Sequence, residues 1–525
     1  MERAADVILA MRMKGVRLWA DSGRLRYRAS GGNITNEDLN RLIAAKNEIL
    51  RLLQQQPSAI TEPLLVPRKP AEKVPLTFPQ QSWWNALGLE QRHSNRSVFS
   101  AVRLLGRINL TSLKESFAEL ARHHQALRTV FITDDGVLQQ RVQEERNLTL
   151  DIIELPHVPN EESESLAERL TWELVTEPVD VSIGPMFSGR LIKLRDDDHV
   201  LVIAADHLIS DAVSTGILLR DIWTLYGQSL QGLPFYLPKQ PVQFADFAVW
   251  QQKSHLSWLE KHGAYWATRL SRTSRLSLFS ENKMRNKQKP TLASLPIKFG
   301  NGLSAKLRDL SRQERTTLPM VILCAYVASV LCWSETACIV VPFVTTGRIQ
   351  PELEHVVGYF GCPLFLLLEL SATDTFLDLL RRCANEYASA YEHHDLGRIS
   401  AQMPRPEFTR NFSFGWYPTE FRIHQAALTP FVYSSEIPGL SEAINLQPFA
   451  VNSPLYGDAS IASQWDGEGG LLLTDAEDGI TGAIAFRSDH ADADSVSRFG
   501  QNLIFFAERL SEGPQRCVRA CYSCP

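Results

Sequence analysis

The chain has 525 residues, of which 44% are hydrophobic and 22% charged, a balance typical of a globular protein with more than one core. Its formal net charge of −5 excludes the uniformly basic surface of a non-specific nucleic-acid binder. The longest apolar run, MVILCAYVASVLCW at 320–333, is too short to span a bilayer and predicts a buried helix. Charges stand where a secretory leader has its apolar core, so we expect a cytoplasmic protein that binds neither membrane nor nucleic acid.

Residues 1–55 form a small unit with the predicted order helix, β-hairpin, helix. RAADVILAMRMKG has helical periodicity, VRLWA and RLRYR alternate as strands joined by DSG, and TNEDLNRLIAAKNEILRLLQQ is amphipathic with Thr35 placed to cap it. The unit has ten Lys and Arg against six Asp and Glu, a net charge of +4, which leaves −9 on the remaining chain. This asymmetry indicates that the unit meets an acidic partner.

After the small unit, a proline-rich segment at 56–73 predicts an extended, semi-rigid linker. Strand patterns, several of them in hairpins, then alternate with helical patterns such as LTSLKESFAELARHH and STGILLRDIWTLYGQSL. The polar stretch SENKMRNKQKPT lies near the boundary between two α+β regions, at 74–279 and 280–513.

Eight cysteines are too few to hold a chain of this length together by disulfides. Three of them, Cys517, Cys521 and Cys524, lie in the last segment, 514–525. Their spacing is that of an iron–sulfur ligand run, but no further chain follows to enclose a cluster. We therefore expect a frayed tail and no metal site.

From Pro75 to about Gly513 the chain resembles a condensation domain of nonribosomal peptide synthetases. Seven motifs carry the likeness in the family's order: PLTFPQQSWW, ARHHQALRTVF, DHLISDAVS, FADFAVWQ followed by YW, PFVTTGRIQPELEHVVGYFGCPLF, YEHHDL and TRNFSF. Residues 1–55 are similar to the β-hairpin docking domains of the tubulysin type. The chain also resembles the freestanding chain-release condensation enzymes of enacyloxin-type polyketide lines.

The resemblance implies an α+β fold, an α/β sandwich of two chloramphenicol-acetyltransferase-like lobes arranged in a V around a central tunnel. The small αββα docking domain precedes them. Carrier proteins would deliver acyl groups into the tunnel on phosphopantetheine arms. The acceptor would be an alcohol or an amine, either free or held by a second carrier, and the product an ester or an amide.

His207 in DHLISDAVS is the candidate catalytic base. An amine or alcohol that attacks a thioester must lose a proton, and a neutral imidazole is suited to accept it, with a contribution of roughly 10²–10⁴ in rate. The backbone N–H groups at Ala212 and Val213 are candidate donors to the oxyanion. Ser214 completes the motif.

Asp211 precedes a predicted helix, where an acidic group is favoured by the helix dipole. In the family this aspartate is structural, and Arg348 in TTGR is its expected partner. A buried carboxylate without a partner is costly, so the resemblance and the electrostatics agree.

The sequence departs from the family pattern at three places. Asp206 stands for the first histidine, Ala212 for the motif glycine, and Gly361–Cys362–Pro363 for Val-Asn-Thr. The spacing of Asp206, Asp211 and Ser214 matches D-x4-D-x2-S of heterocyclisation domains, which remains an alternative, although the cyclisation family's opening motif is missing. A catalytically silent scaffold for carrier proteins is a second alternative.

No adenylation motif and no serine motif for phosphopantetheine attachment occur in the sequence. We therefore expect a freestanding acyltransferase without a bound cofactor, which depends on docking to find its carrier. The hairpin edge would accept a short acidic C-terminal motif of the carrier protein by β-augmentation. The cations expected to attract that motif are Arg17, Arg24, Arg26, Arg28 and Lys46.

Overall fold

The structure is a computed structural model. It describes residues 7, 11, 16–21, 24–29, 36–54, 63–70, 72–87, 93–94, 96, 98–144, 148, 150–156, 159–270, 276, 278–279, 292–334, 336–395, 398, 412–417, 421–424, 427–430, 445–448, 469–476 and 479–522.

The N-terminal unit contains the predicted hairpin and second helix. Strands β1 (Val16–Asp21) and β2 (Arg24–Ala29) pair antiparallel, and helix α1 spans Asn36–Gln54. An apolar cluster joins the hairpin to the helix through Val7, Met11, Val16, Leu18, Leu42 and Ile49. Val7 and Met11 are helical; the rest of the predicted first helix and the cap Thr35 lie outside the described residues.

The first lobe is built from alternating strands and helices, as the sequence predicts. Its strands are β3 (His93–Ser94), β4 (Val98–Leu105), β5 (Thr129–Asp134), β6 (Val137–Val142), β7 (Leu150–Glu154), β8 (Val179–Asp180), β9 (Phe187–Arg195) and β10 (Asp198–Ala205). Its helices are α2 (Phe78–Leu87), α3 (Leu110–His123), α4 (Asn160–Thr176), α5 (Ala212–Leu230), α6 (Phe244–Lys253) and α7 (His255–Leu270).

The main sheet of this lobe has the order β17-β4-β10-β9-β7, in which β17 is Asn445–Pro448. All eight residues of β10 are buried, so this central strand leads from the core directly into the DHLISDAVS motif. Strand β17 (Asn445–Pro448) comes from the second half of the sequence and pairs antiparallel with Val102–Leu105. The segment 445–448, which the sequence assigns to the second lobe, therefore adds a strand to the sheet of the first lobe.

The second lobe contains a six-stranded sheet of order β11-β19-β18-β14-β12-β13. Its strands are β11 (Leu292–Lys298), β12 (Cys338–Val344), β13 (Leu364–Glu369), β14 (Ser413–Tyr417), β18 (Gly469–Ala476) and β19 (Gly479–Arg487); β15 (Phe421–His424) and β16 (Ala427–Pro430) form a separate hairpin. Its helices are α8 (Asn301–Gln313), α9 (Leu318–Trp333), α10 (Phe376–Glu392), α11 (Ala493–Glu512) and α12 (Val518–Tyr522).

Helix α9 is the buried helix that the apolar run predicts, with every residue from Met320 to Cys332 buried. Among the described helices, none is by itself long and apolar enough to cross a membrane. Helices α8 and α9 meet the length and composition only when taken together, and a bend of 110° separates them.

The predicted linker has neither helix nor strand at 63–69, and it is fastened to the first lobe. The Arg68 Nη1 atom lies 2.9 Å from Asp246 Oδ1 in a mostly buried ion pair. The indole N–H of Trp250 donates to the carbonyl of Pro63, and Leu65 packs against the cluster around Phe247. This part of the segment is therefore a strap across helix α6.

The prediction of a frayed tail is wrong for residues 514–522. The N–H groups of Phe376 and Leu377, at the start of α10, donate to the carbonyls of Arg516 and Pro514. Val518 is fully buried and is the first residue of helix α12. The tail supplies acceptors to a helix N-terminus that has donors without intrahelical partners. Cys524 lies outside the described residues.

Candidate active site

The DHLISDAVS motif forms the loop between the buried strand β10 and helix α5. Asp206 faces the protein interior, where it is fully buried, and its Oδ1 accepts the N–H of Leu208 at 2.8 Å. Burial raises the pKa of Asp206 to about 6, against the lowering effects of Ser94, of that N–H and of the Arg96 charge. Asp206 is therefore a structural group of the loop and cannot reach a substrate.

His207 is partly exposed, whereas Asp206 and Asp211 of the same motif are buried. Its Nδ1 lies 2.9 Å from the carbonyl oxygen of Ser210. Because a carbonyl oxygen only accepts, Nδ1 carries the proton, and in the neutral ring Nε2 keeps its lone pair. Burial lowers the pKa of His207, and this effect outweighs the nearby charge of Asp211. At pH values above the ordinary histidine pKa of about 6.5, the ring is therefore neutral.

Two aromatic rings hold the imidazole from either side of the cleft between the lobes. The Trp83 ring centroid lies 5.1 Å from that of His207, and the Tyr359 centroid lies 4.3 Å from it. Trp83 belongs to helix α2 of the first lobe, and Tyr359 to the segment after β12 in the second. The site is therefore complete only when both lobes are present.

Asp211 is the N-cap of helix α5, and its carboxylate is saturated with donors. Its Oδ1 accepts the N–H and the hydroxyl of Ser214, both at 2.8 Å, and Arg348 Nη2 at 3.0 Å. Its Oδ2 accepts Arg348 Nη1 at 2.9 Å and the N–H of Phe360 at 3.1 Å. Burial would raise the pKa of Asp211, but the Arg348 charge and these hydrogen bonds lower it. Asp211 is therefore an ionised structural group and not a base.

Arg348 lies in the second lobe, so its bidentate contact with Asp211 is an ion pair between the lobes. Only 4% of its side chain is exposed. Its Nη2 also donates to Ser214 Oγ and to the carbonyl of Val356, and its guanidinium carbon lies 4.5 Å from the centroid of the Phe360 ring. The pairing that the sequence predicts is present in the structure.

Glycines allow the second-lobe segment to approach the motif. Gly347 has φ +64°, and a Cβ there would lie 1.8 Å from the carbonyl oxygen of Phe360. A Cβ on Gly358 would lie 2.1 Å from the Phe244 ring. The N–H of Gly358 donates to Ser214 Oγ at 3.0 Å, so Ser214 joins the same contact between the lobes.

The opening motif PLTFPQQSWW is hydrogen-bonded to the loop that carries His207. The Gln80 side-chain amide donates to the carbonyl of Leu208 at 2.7 Å, and its Oε1 accepts the N–H of Thr77. Sequence reasoning does not assign roles to Gln80, Trp83, Tyr359 or Phe360, although all four lie in quoted motifs.

Ala212 and Val213 are the first two residues of helix α5. The first backbone bond of the helix runs from the N–H of Thr215 to the carbonyl of Asp211, and the Asp211 side chain caps Ser214. The N–H groups of Ala212 and Val213 precede the intrahelical ladder, at the positive end of the helix dipole. Their service to an oxyanion stays a prediction.

The structure describes the side chains of two of the five predicted docking residues. Arg26 and Lys46 are exposed. Arg17, Arg24 and Arg28 lie on the paired strands of the hairpin, but their side chains lie outside the described residues. Their role stays a prediction.

Among the described residues, one group has donor atoms spaced to hold a metal ion: His123, His124 and Asp221, within 4.8 Å of one another. His124 Nε2 already lies 2.9 Å from Asp221 Oδ2, and Arg220 pairs with the other oxygen. These contacts account for the group without a metal.

Two family models match the chain. The condensation-domain model matches residues 71–428, and the TubC N-terminal docking-domain model matches residues 6–55. The chain belongs to the condensation-domain family. Its N-terminal unit is a docking domain of the TubC type, and the activity associated with the family is of the acyl- or peptidyl-transferase type.

Curated relatives include two components of linear gramicidin synthase from Brevibacillus parabrevis. One is 33% identical over 342 residues, which cover 64% of this chain, and the other is 27% identical over 484 residues, which cover 91%. The matched region spans 6% of the length of each of these relatives.

Solved structures share the fold. The X-domain from teicoplanin biosynthesis has 20% identity and a TM-score of 0.71, covering 87% of this chain and 99% of its own. A condensation domain described as mediating chain release from the enacyloxin polyketide synthase has 20% identity and a TM-score of 0.64, covering 97% and 96%. The predicted α+β condensation fold is confirmed.

Replacement of Arg348 by alanine should lower the free energy of unfolding by about 3–5 kcal/mol, because it leaves the buried Asp211 carboxylate without its cation. Chemical denaturation measures this change. Asp211→Asn combined with Arg348→Met should recover part of the loss. Arg122→Ala, which breaks an exposed pair with Glu119, is the control and should cost less than about 1 kcal/mol. Equal losses for the two single arginine variants would contradict the assignment.

The raised pKa of Asp206 predicts a pH-dependent stability difference. Its folded value of about 6 lies above the ordinary value of 3.8, so the folded state binds the proton more tightly and loses stability as pH rises between these values. Asp206→Asn cannot ionise and escapes this loss. The unfolding free energy of the variant minus that of the wild type should therefore increase by about 1–3 kcal/mol from pH 4 to pH 8. A difference that is constant across that range would refute the raised pKa.

Proposed function

We propose that the chain transfers an acyl group from the phosphopantetheine thioester of a docked carrier protein to an acceptor alcohol or amine. The product is an ester or an amide, formed as the chain is released or extended. The carrier brings the phosphopantetheine arm, so the condensation region needs no cofactor of its own. Family membership supports the reaction class, and the geometry of the site supports the assignment of roles.

The observation that carries the proposal is the state of His207. Its Nδ1–H is occupied by the Ser210 carbonyl, its Nε2 lone pair is left for a proton, and burial lowers its pKa. A neutral base of this kind takes the proton from the acceptor N–H or O–H as the new bond to the thioester carbon forms. The thiolate of the phosphopantetheine arm then leaves and takes up the proton.

Asp211 and Asp206 have other roles in this mechanism. Asp211 ties the histidine loop to the second lobe through Arg348, and Asp206 fixes the loop from inside the core. The first-turn N–H groups of Ala212 and Val213 stabilise the oxyanion of the tetrahedral intermediate. In this mechanism the two aspartates of the motif position the loop, the histidine transfers the proton, and the first-turn N–H groups stabilise the developing charge.

The docking domain supplies the carrier in this proposal. Its hairpin offers a strand edge for main-chain pairing with an extended peptide. The net charge of +4 over residues 1–55, with exposed cations at Arg26 and Lys46, attracts a short acidic C-terminal motif. The partner is therefore an acyl or peptidyl carrier protein that ends in such a motif.

His207→Ala should lower the rate of transfer from an acyl-loaded carrier by roughly 10²-fold or more, since it removes the base. Single-turnover mass spectrometry of the released product measures the rate, and circular dichroism confirms the fold. In the wild type the acid limb of the pH–rate profile should lie below pH 6.5, because the pKa of His207 is lowered. Unchanged turnover in the variant would favour the silent scaffold, and a thiazoline formed from carrier-bound cysteine would favour heterocyclisation.

Deletion of residues 1–55 should abolish transfer at low carrier concentration and spare it when the carrier is in large excess, because His207 lies in the other domain. Charge reversal at Arg24, Arg26 and Arg28 should act in the same direction. Calorimetry with the carrier's C-terminal peptide should give a dissociation constant near the micromolar range, about −8 kcal/mol, that weakens as salt rises. Kinetics indifferent to the deletion would overturn the docking role.

A further inference from the structure

A small pocket lies between the lobes, beside the contact that joins Arg348 to Asp211. Helices α2 and α6 of the first lobe form one side, and the segment after β12 with the end of α10 forms the other. Its lining includes Phe247, Trp250, Thr346, Phe360, Cys362 and Asp395. The cavity of about 40 Å³ has room for a small group of a few heavy atoms, since one water needs about 10–15 Å³ by this measure.

Asp395 places a buried carboxylate in the wall of this pocket. The residue is 8% exposed. Its Oδ2 accepts Arg398 Nε at 2.6 Å and the Gln251 side-chain amide at 2.9 Å. Its Oδ1 is buried and has no hydrogen-bond partner among the described residues. A buried acceptor without a donor is unfavourable, so a donor bound in the pocket would satisfy it.

The surroundings of this oxygen select the kind of donor. Arg398 already balances the carboxylate charge, so a neutral hydroxyl can bind as well as an amine. The aromatic rings of Phe247, Trp250 and Phe360 favour a short hydrocarbon stem and, for an ammonium group, add cation–π attraction. The pocket therefore suits a small head that carries N–H or O–H on an apolar stem.

The pocket also shares a wall with the active site. The Phe360 ring lines it, while the same residue packs under the Arg348 guanidinium and donates its N–H to Asp211. Cys362 lies next along this wall, and Thr345 donates to its carbonyl at 2.7 Å. Cys362 belongs to the Gly361–Pro363 segment, where the sequence departs from the family pattern.

We propose that this pocket binds a small hydroxyl or amino group of the acceptor, held by a hydrogen bond to Asp395 Oδ1. Asp395 is thus a specificity-determining residue for the acceptor. The inference rests on the proposed transfer function, since it assigns the occupant to the acceptor. The group in the pocket is a second polar group of the acceptor, distinct from the nucleophile that His207 deprotonates.

Asp395→Asn tests the proposal because it replaces one accepting carboxylate oxygen by a donating NH₂ group. The asparagine carbonyl can take the place of Oδ2 and keep the Arg398 and Gln251 donors, which puts the amide NH₂ in the place of Oδ1. The full chain is titrated with 1-propanol, propylamine and acetone by saturation-transfer NMR. The wild type should prefer the two donors to acetone by at least about tenfold, and the variant should lose that preference.

Two further variants complete the test. Asp475→Asn alters an Asp–Arg pair elsewhere in the second lobe, with Arg308, and should leave the preference unchanged. Cys362→Leu fills the pocket and should weaken all three probes, which keeps the proposal testable if Asp395→Asn does not fold. Wild-type protein that binds no probe, or binds acetone as well as the donors, would overturn the pocket assignment.

Kinetics separate this proposal from the proposed function. The comparison uses acceptors that the wild type turns over. For those that bear a second hydroxyl or amino group, Asp395→Asn should raise the KM at least about tenfold. It should change kcat by less than about threefold, because His207 is intact. Loss of transfer in His207→Ala with an unchanged KM in Asp395→Asn would sustain the function and refute the pocket. A probe preference abolished in Asp395→Asn without any transfer by the wild type would refute the function and sustain the donor-binding pocket, but not its assignment to the acceptor.

Discussion

The buried ion pair between Asp211 and Arg348 is the contact on which the rest of the site depends. It joins an N-cap carboxylate of the first lobe to a guanidinium of the second, and both are almost completely buried. Removing one partner of such a pair is far more costly than removing both. Five hydrogen bonds to the carboxylate fix the start of helix α5 and, through the short loop before it, the ring of His207. The relative position of the lobes and the orientation of the base are therefore set by the same interaction.

The motif DHLISDAVS resolves into three different environments. Asp206 faces the core, His207 faces the cleft, and Asp211 faces the other lobe. The D-x4-D-x2-S spacing is present, but both of its carboxylates already have hydrogen-bond partners. Asp206 accepts the N–H of Leu208. Asp211 accepts donors from Ser214, Arg348 and Phe360. Of the ionisable groups in the motif, His207 is the one placed to exchange a proton with a substrate. This arrangement favours transfer over a mechanism based on paired carboxylates.

Local patterns predict the N-terminal hairpin and second helix, several strands and helices of the first lobe, and helix α9, because alternation, helical periodicity and turn residues act over a few positions. For the rest of the second lobe they predict only a general α+β pattern. The resemblance to the family predicts Arg348 as the partner of Asp211, and the cost of a buried carboxylate without a cation agrees with it. The contacts that were missed are all distant in sequence. Strand β17 joins the sheet of the other lobe, the C-terminal segment caps α10, and Arg68 fastens the strap to Asp246. Trp83 and Tyr359 meet at His207, and Asp395 comes to line a pocket, only after both lobes are assembled.

The most direct test of the account is a ¹⁵N NMR titration of histidine-labelled protein, with His207→Gln used to assign the resonances of this ring. The account predicts that at about pH 7.5 the ring is neutral, with the proton on Nδ1 and none on Nε2, and that it titrates below its ordinary pKa of about 6.5. In Arg348→Ala, this tautomer should become less populated as the loop loses its anchor. A ring that is charged at that pH, or a proton on Nε2 in the wild type, would contradict the role of His207 as the base.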